Sequence, residues 1–320
     1  MSHLSRTFHL YPTFLPFLPF LPFLTFPTFL TFPTFLTFPT VPTSVSSGMT
    51  SLAERRQRFR ELHQSGCFVI PNPWDSGSAR ILARLGFPAL ATTSSGFAWS
   101  QGRRDNHITL DQALAHMQEM SSAVDLPINA DFEGGFAVEP EGVALNVSAA
   151  TETGVSGLSI EDSTGNSDKP LFDFELAVER IRAARRAIDQ SGSGILLVGR
   201  SEGFIVGRPD LRETIRRLTA YAEAGADCLY PPGIRSREEI SAVVKAVSPK
   251  PVNVLVGSDF TTVQQLAELG VRRISVGGAL ARAAWGGFLQ AAKEIASEGK
   301  FTGLAKAAPW DEVEGLFEGP

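Results

Sequence analysis

From residue 49 onward, short apolar runs alternate with longer stretches in which apolar positions recur every three or four residues. The runs are CFVI (from Cys67), ALAT (Ala89), PINAD (Pro127), GLSI (Gly157), ILLV (Ile195), DCLY (Asp227), PVNVLV (Pro251) and RRISV (Arg272). Runs this short, bounded by Gly, Pro, Asn and Asp, predict buried parallel strands. The segments between them predict helices. TLDQALAHMQEMSSAV opens with a capping box, Thr109 with Gln112, in which each side chain takes up the other residue's free N–H. LRETIRRLTAYAEAGA keeps the helical spacing and stops at Gly225, which can turn the chain left-handed where most residues cannot. Eight such strand–helix units predict the α/β class and a (β/α)8 TIM-type barrel. A doubly wound open sheet would carry a glycine-rich phosphate turn after its first strand, and that turn here reads PNPWDSGSA.

A barrel places its chemistry in the loops that follow the strands. Those loops are the polar, glycine-bearing ones, such as NADFEGG, EDSTGN and GRSEGF, whereas LGFP, AVDLP and SPKP at the other strand ends are bland. Strand alternation sends Asn129 and Asp131 to one side, into the barrel mouth, and oxygen ligands there suit a hard cation such as Mg²⁺. Gly134 and Gly135 then permit a tight turn. Glu161 and Asp162 follow directly on GLSI, so one of the two carboxylates must face the same rim. Arg200 ends the next strand, where it can pair with Glu161 or clamp a substrate carboxylate or phosphonate. Ser94, Ser95 and Gly96 offer hydroxyl and amide donors for an anion, with Asp105 further along. Gly277 and Gly278 open the last long helix, either as a phosphate cup or as a close-packing pair.

Composition narrows the partners. The chain has 320 residues, 43% of them hydrophobic, and a net charge of −5 without a basic stripe interleaved with aromatics. Nucleic acid and anionic membrane are therefore excluded as general partners. Cys67 and Cys228 sit in apolar runs without zinc spacing, which predicts buried thiols in a reducing, cytoplasmic compartment. No strand ends in the lysine that a Schiff-base aldolase would need, and no Ser-His-Asp order, HExxH or P-loop occurs. Residues 1–48 are a different material, with FLPFLPFLPFLTFPTFLTFPT repeating proline too often for a membrane-spanning helix. They are expected to be a disordered low-complexity extension, with a mitochondrial address only if they act as a targeting segment. Residues 49–320 are expected to form one catalytic barrel domain with additional C-terminal helices.

The motifs NPWDSGSARIL, TTSSG, GRRDNHITLDQ, NADFEGGF, GLSIEDSTG, GRSEGF and EAGADCLYPPG follow one another as they do in the isocitrate lyase/phosphoenolpyruvate mutase superfamily, which the chain resembles over roughly residues 51–299. The resemblance implies an enzyme that uses Mg²⁺, with Mn²⁺ as a substitute, to bind a small 2-oxoacid or dicarboxylate and to make or break a C–C or P–C bond beside an enolate. It implies oxoacid binding by Ser94, Ser95 and Gly96, a metal shell from Asp105, Asn129, Asp131 and Glu161, and substrate binding by Arg200. Catalytic roles would fall to Asp105, Glu161 and Arg200. It further implies a homotetramer that swaps its last barrel helix. Two departures matter: Asn129 stands where an aspartate is usual, and the loop EDSTGNSDKPLFD lacks the Lys-Cys-Gly-His of the lyases. Isocitrate lyase activity is thereby excluded. The expected chemistry is C–C cleavage or decarboxylation, with phosphonopyruvate-type P–C chemistry or a non-catalytic oxoacid-binding barrel as alternatives.

Overall fold

The computed structural model describes residues 50–318; the extension expected over residues 1–48 lies outside the described residues. Eight strands alternate with helices along the chain. They are β1 (Phe68–Ile70), β2 (Leu90–Ala91), β3 (Ile128–Asp131), β4 (Gly157–Glu161), β5 (Leu196–Arg200), β6 (Cys228–Tyr230), β7 (Asn253–Leu255) and β8 (Arg273–Ser275). The helices are α1 (Leu52–Leu62), α2 (Ser76–Arg84), α3 (Ser94–Ser100), α4 (Leu110–Ala123), α5 (Pro140–Thr151) and α6 (Phe174–Ser191). There follow α7 (Leu211–Glu223), α8 (Arg237–Val247), α9 (Val263–Glu268), α10 (Ala279–Glu298) and α11 (Trp310–Gly315). All strand pairs are parallel, in the orders β1-β8-β7 and β2-β3-β4-β5-β6. Two seams join these arcs: Leu229 bridges Val252 between β6 and β7, and the Ala91 amide donates to Pro71 O at 3.0 Å between β1 and β2. The (β/α)8 barrel expected from the alternation is the fold.

The period-two alternation of each strand sorts its side chains between two environments. Ala130, Leu158, Ile160 and Leu197 face outward and merge with Val143, Ile181, Leu218 and other helix residues into one large apolar cluster. Each fully buried aliphatic side chain there contributes about 1.5–3 kcal/mol, so this ring between strands and helices carries most of the stability. Inside the barrel, Phe68, Ile70, Ala89, Ala91 and Leu196 gather under Phe59 of α1, which closes the bottom. The expected capping box forms at α4, with Gln112 N donating to Thr109 Oγ1 and Thr109 N to Gln112 Oε1. Gly225, with φ +107°, follows α7.

The turn after β3 departs from its expected form. Gly135 takes a left-handed φ of +73°, as do Glu133 (+46°) and Phe136 (+54°), whereas Gly134 does not. Gly134 is needed for closeness instead: a Cβ there would lie 3.1 Å from Arg180 Nη2. Arg180, buried on α6 and stacked 3.9 Å over the Phe172 ring, donates to the carbonyls of Gly134, Ala137 and Val138 and so holds this costly turn in place. On the far side of the molecule, Trp285, Phe288, Leu289 and Ile295 of α10 remain exposed. Among the described residues, no helix is long and apolar enough to cross a membrane.

Candidate active site

The inward-facing residues at the ends of β3, β4 and β5 meet at the barrel mouth. Arg200 lies at their centre and spends its whole guanidinium fork on carboxylates: Nη1 to Asp131 Oδ1 at 2.7 Å, Nη2 to Glu161 Oε2 at 2.9 Å, and Nε to Glu202 Oε1 at 2.8 Å. Burial works against the Arg200 charge, yet Glu161, Glu202 and Asp131 outweigh it and hold the proton more firmly than usual. The same burial pushes Glu161 well above the ordinary carboxyl range, against the pull of Arg200. Three carboxylates around one guanidinium leave an excess of negative charge at the mouth.

The surroundings fix these groups. Asp131 Oδ2 accepts from the amide and hydroxyl of Ser94, both at 3.0 Å, and Thr92 Oγ1 accepts from the Asp131 amide at 2.8 Å. Of the EDS pair, Glu161 faces the rim while Asp162 turns into the protein. There its Oδ1 accepts from the Glu202 amide at 2.7 Å, and its Oδ2 from Tyr221 Oη at 2.6 Å and Arg217 Nη1 at 3.1 Å. A buried carboxylate so fully partnered holds the Arg200–Glu202 segment in register.

The structure thus brings Asp131, Glu161, Arg200 and Ser94 together, but it redistributes the other expected residues. Asn129 shares the inward face of β3 with Asp131, yet sits one layer deeper, 2% exposed. Its Oδ1 accepts from Arg273 Nη1 at 3.3 Å and its Nδ2 donates to Ala130 O at 3.1 Å. Two residues along a strand rise by roughly 6.6 Å, which separates the amide from the carboxylates despite the shared face. The amide expected among the metal ligands is thus engaged by Arg273 in this arrangement. Gly96 is buried in the first turn of α3 and its amide donates to Thr93 Oγ1, so it packs rather than presents a donor; a Cβ there would come within 2.7 Å of Thr93 Cγ2. Ser95 Oγ lies 3.1 Å from Thr93 Oγ1 and lines the cavity. The backbone amides of Val276 and Gly277 donate to Asn72 Oδ1 at 2.9 and 2.8 Å, so these two donors of the eighth loop are already taken up.

Asp105 stands on the exposed rim loop, where partial desolvation of its carboxyl and repulsion from Asp131 push its pKa upward. Glu133, which the sequence analysis passed over, belongs to the same rim. Its Oε1 is buried without a hydrogen-bond partner, and burial, reinforced by Asp131 and Asp105, pushes its carboxyl up to about 8. An acid raised from 4.5 to about 8 in the folded state contributes a stability that is full below pH 4.5 and is lost as pH climbs toward 8. Metal-free protein is therefore expected to melt at progressively lower temperature between pH 5 and pH 8, and Glu133→Gln to flatten that slope in thermal melts. An unchanged slope in the variant would assign the effect elsewhere.

Asp105, Asp131, Arg200 and Glu202 line a cavity of about 200 Å³ that runs from the rim past Tyr230 down to Arg273 and Ser275, whereas Glu133 and Glu161 line a separate hollow of about 440 Å³ with His107 and Arg180. A larger hollow of about 590 Å³ beside Arg80, Asp125 and Phe317 lies away from the strand ends and gathers no cluster of carboxylates. Among the described residues, no three His, Cys, Asp or Glu side chains converge as a preformed metal cage. The donor set still fits Mg²⁺, which keeps several waters and takes only one or two protein carboxylates. The unpartnered Glu133 Oε1 and the carboxylate excess around Arg200 would be relieved by such a cation.

The family model described as phosphoenolpyruvate phosphomutase matches residues 59–296. The chain belongs to the phosphoenolpyruvate phosphomutase family. Within it, the chain is 47% identical to a protein of Burkholderia cenocepacia J2315 provisionally designated a lyase/mutase; the alignment covers 84% of this chain and 98% of that one, with a TM-score of 0.81. It is 30% identical to the oxaloacetate decarboxylase of Rhodopseudomonas palustris (strain BisB5), over 79% of this chain and 89% of the relative. The crystal structure of 2,3-dimethylmalate lyase, a member of the PEP mutase/isocitrate lyase superfamily, superposes with a TM-score of 0.72 at 26% identity, covering 85% of this chain and 96% of that one. The superfamily resemblance drawn from the motifs is thereby established.

Proposed function

We propose that this chain is a Mg²⁺-dependent lyase that cleaves or decarboxylates a small 2-oxoacid or dicarboxylate, oxaloacetate first among them. The observation that carries this reading is the set of carboxylates Asp131, Glu161 and Glu202 around the single cation Arg200 at the barrel mouth. The names of the decarboxylase and lyase relatives favour C–C chemistry. Asp131, Glu161 and Asp105 would hold the hydrated ion, with Mn²⁺ able to take its place. When bound, the ion offsets the negative charge that develops on an enolate.

The chain's own part is to fix and enclose. Arg200 is immobilised by its three partners, so it presents a fixed positive charge that needs no reorganisation as an enolate forms. Ser94 orients Asp131, and Asp162 orients the strand end that carries Glu202. The narrow cavity restricts the water that could compete for the reacting groups. The exposed apolar residues of α10 support assembly of several copies, in line with the expected tetramer with a swapped helix.

Proton and phosphorus NMR tests the reading, with Mg²⁺ and, separately, oxaloacetate, 2,3-dimethylmalate, 2-methylisocitrate and phosphonopyruvate. Pyruvate appearing from oxaloacetate faster than in protein-free Mg²⁺ solution, and suppressed by chelation, is the expected result. Turnover of phosphonopyruvate alone would select P–C chemistry, the second reading, which the family's description supports. A folded protein silent toward all four would leave the binding-only barrel.

A further inference from the structure

Arg200 is the cation that sequence reasoning offers to a substrate anion, but its donors are already committed to carboxylates. A second guanidinium lines the same cavity from below. Arg273 points inward from β8 and is 2% exposed. Its Nε donates to Asn253 Oδ1 at 2.9 Å, and its Nη1 lies 3.3 Å from Asn129 Oδ1 and 3.4 Å from His63 Nε2. Two of these partners are neutral amides. The third is a histidine whose pKa is pushed down to about 3 by burial and by Arg273 itself, so it is neutral too. Among the described residues Arg273 forms no ion pair, and its Nη2 makes no hydrogen bond and is not one of the buried polar atoms left without a partner. Nη2 therefore keeps some solvent access, and Arg273 is among the residues that line the cavity.

A buried charge with only neutral partners is costly unless something of opposite sign completes it. The two floors of the cavity are accordingly unlike: carboxylate excess above, an uncompensated cation below. We infer that Arg273 is the anchor for a second carboxylate of the substrate, so that the site selects a diacid whose two ends lie at different depths in the barrel. This rests on the oxoacid reading above and narrows it from 2-oxoacids in general to those with a distal carboxylate. Ser275 supplies a further polar group beside the anchor: its Oγ accepts from Asn253 Nδ2 at 2.9 Å and lies 3.4 Å from Tyr230 Oη. Asn129 acquires a reason under this inference. An aspartate at that position would neutralise Arg273 directly, whereas an amide holds the guanidinium and leaves its charge free for the ligand.

The test is equilibrium binding to the full chain in the presence of Mg²⁺, using two probes that are not turned over by decarboxylation. Oxalate is too short to reach both floors, and L-malate is a four-carbon diacid that spans them. Calorimetry is expected to show malate weakened at least tenfold by Arg273→Met, with oxalate affinity changed less than twofold. Should that variant not fold, Arg273→Lys replaces it, because its compact ammonium cannot reproduce the fork. It is expected to weaken malate at least fivefold with oxalate again unchanged. Equal losses for both probes would overturn the inference, since they would mean that Arg273 merely shapes the floor. So would unchanged malate binding in a variant, or failure of wild-type protein to bind malate. The oxaloacetate assay is independent: no turnover with a preserved malate–oxalate difference would sink the lyase reading and keep the anchor.

Discussion

Arg200→Met is expected to abolish turnover, by at least about 10³-fold, and to destabilise the fold by about 3–5 kcal/mol. Both effects arise from the same three contacts. Removing the guanidinium leaves Asp131, Glu161 and Glu202, whose side chains are 19%, 11% and 3% exposed, facing one another without a cation. The penalty is that of uncompensated buried charge, which exceeds the net contribution of the intact pairs. Some of it can be escaped by protonation. Glu161 and Glu202 are already raised by burial, and without Arg200 they rise further, so the variant should be most stable at acid pH and weaken as pH rises through neutrality. Added Mg²⁺ should restore part of the stability by compensating the same carboxylates, without restoring activity. Arg200→Lys should recover little, since one ammonium cannot reproduce contacts made in three directions from Nε, Nη1 and Nη2. Urea titrations at pH 5 and pH 8, with and without Mg²⁺, together with the NMR assay, measure all of this. Activity within tenfold of wild type would show that the cluster is a structural tie rather than the reacting site.

How much of this was legible beforehand follows the physics of each signal. Strands, helices and the functional rim were readable because hydrophobic period and loop polarity are local properties, and the capping box at Thr109 announces its helix by itself. That Asp131, Glu161 and Arg200 converge was readable too, since each ends a strand of one barrel. Depth was not. Alternation says which side of a strand a residue faces but not which layer of the barrel it occupies, so Asn129 was grouped with Asp131 although its amide serves Arg273 one layer below. Arg273 itself was hidden inside the run RRISV, where nothing local distinguishes it from Arg272, whose Nη1 donates to Gly66 O at the surface. The occupancy of donors was equally invisible: Ser94 is spent on Asp131, Gly96 on Thr93 and the amides of Val276 and Gly277 on Asn72, all through contacts fixed only by the fold. Glu133 escaped because an acid before two glycines reads as a solvated turn, and its burial depends on Arg180 holding that turn closed from α6.

Asp131→Ala is expected to separate function from stability in a way that Arg200→Met cannot. The carboxylate accepts from Arg200 Nη1 and from both donors of Ser94, so its loss removes one ion pair and two hydrogen bonds. Arg200 nevertheless keeps Glu161 and Glu202, and Ser94 sits at a partly exposed position that water can reach. The expected cost to stability is therefore only about 1–2 kcal/mol, the range for hydrogen bonds whose partners are otherwise satisfied. Turnover, by contrast, should fall by about 10³-fold, because removing charge stabilisation aimed at the reacting atoms acts on the transition state itself. Asp131→Asn sharpens the distinction. Its amide oxygen can still accept from Ser94, which should keep the melting temperature close to wild type, but it lacks the charge that a hard cation requires. Titration of Mn²⁺ followed by electron paramagnetic resonance should then show weakened ion binding in the asparagine variant at nearly unchanged stability. If that variant instead binds Mn²⁺ as wild type does and turns over within fivefold of it, Asp131 is a structural partner of Arg200, and the ion-binding role falls to the neighbouring carboxylates Glu133 and Asp105 of the same rim.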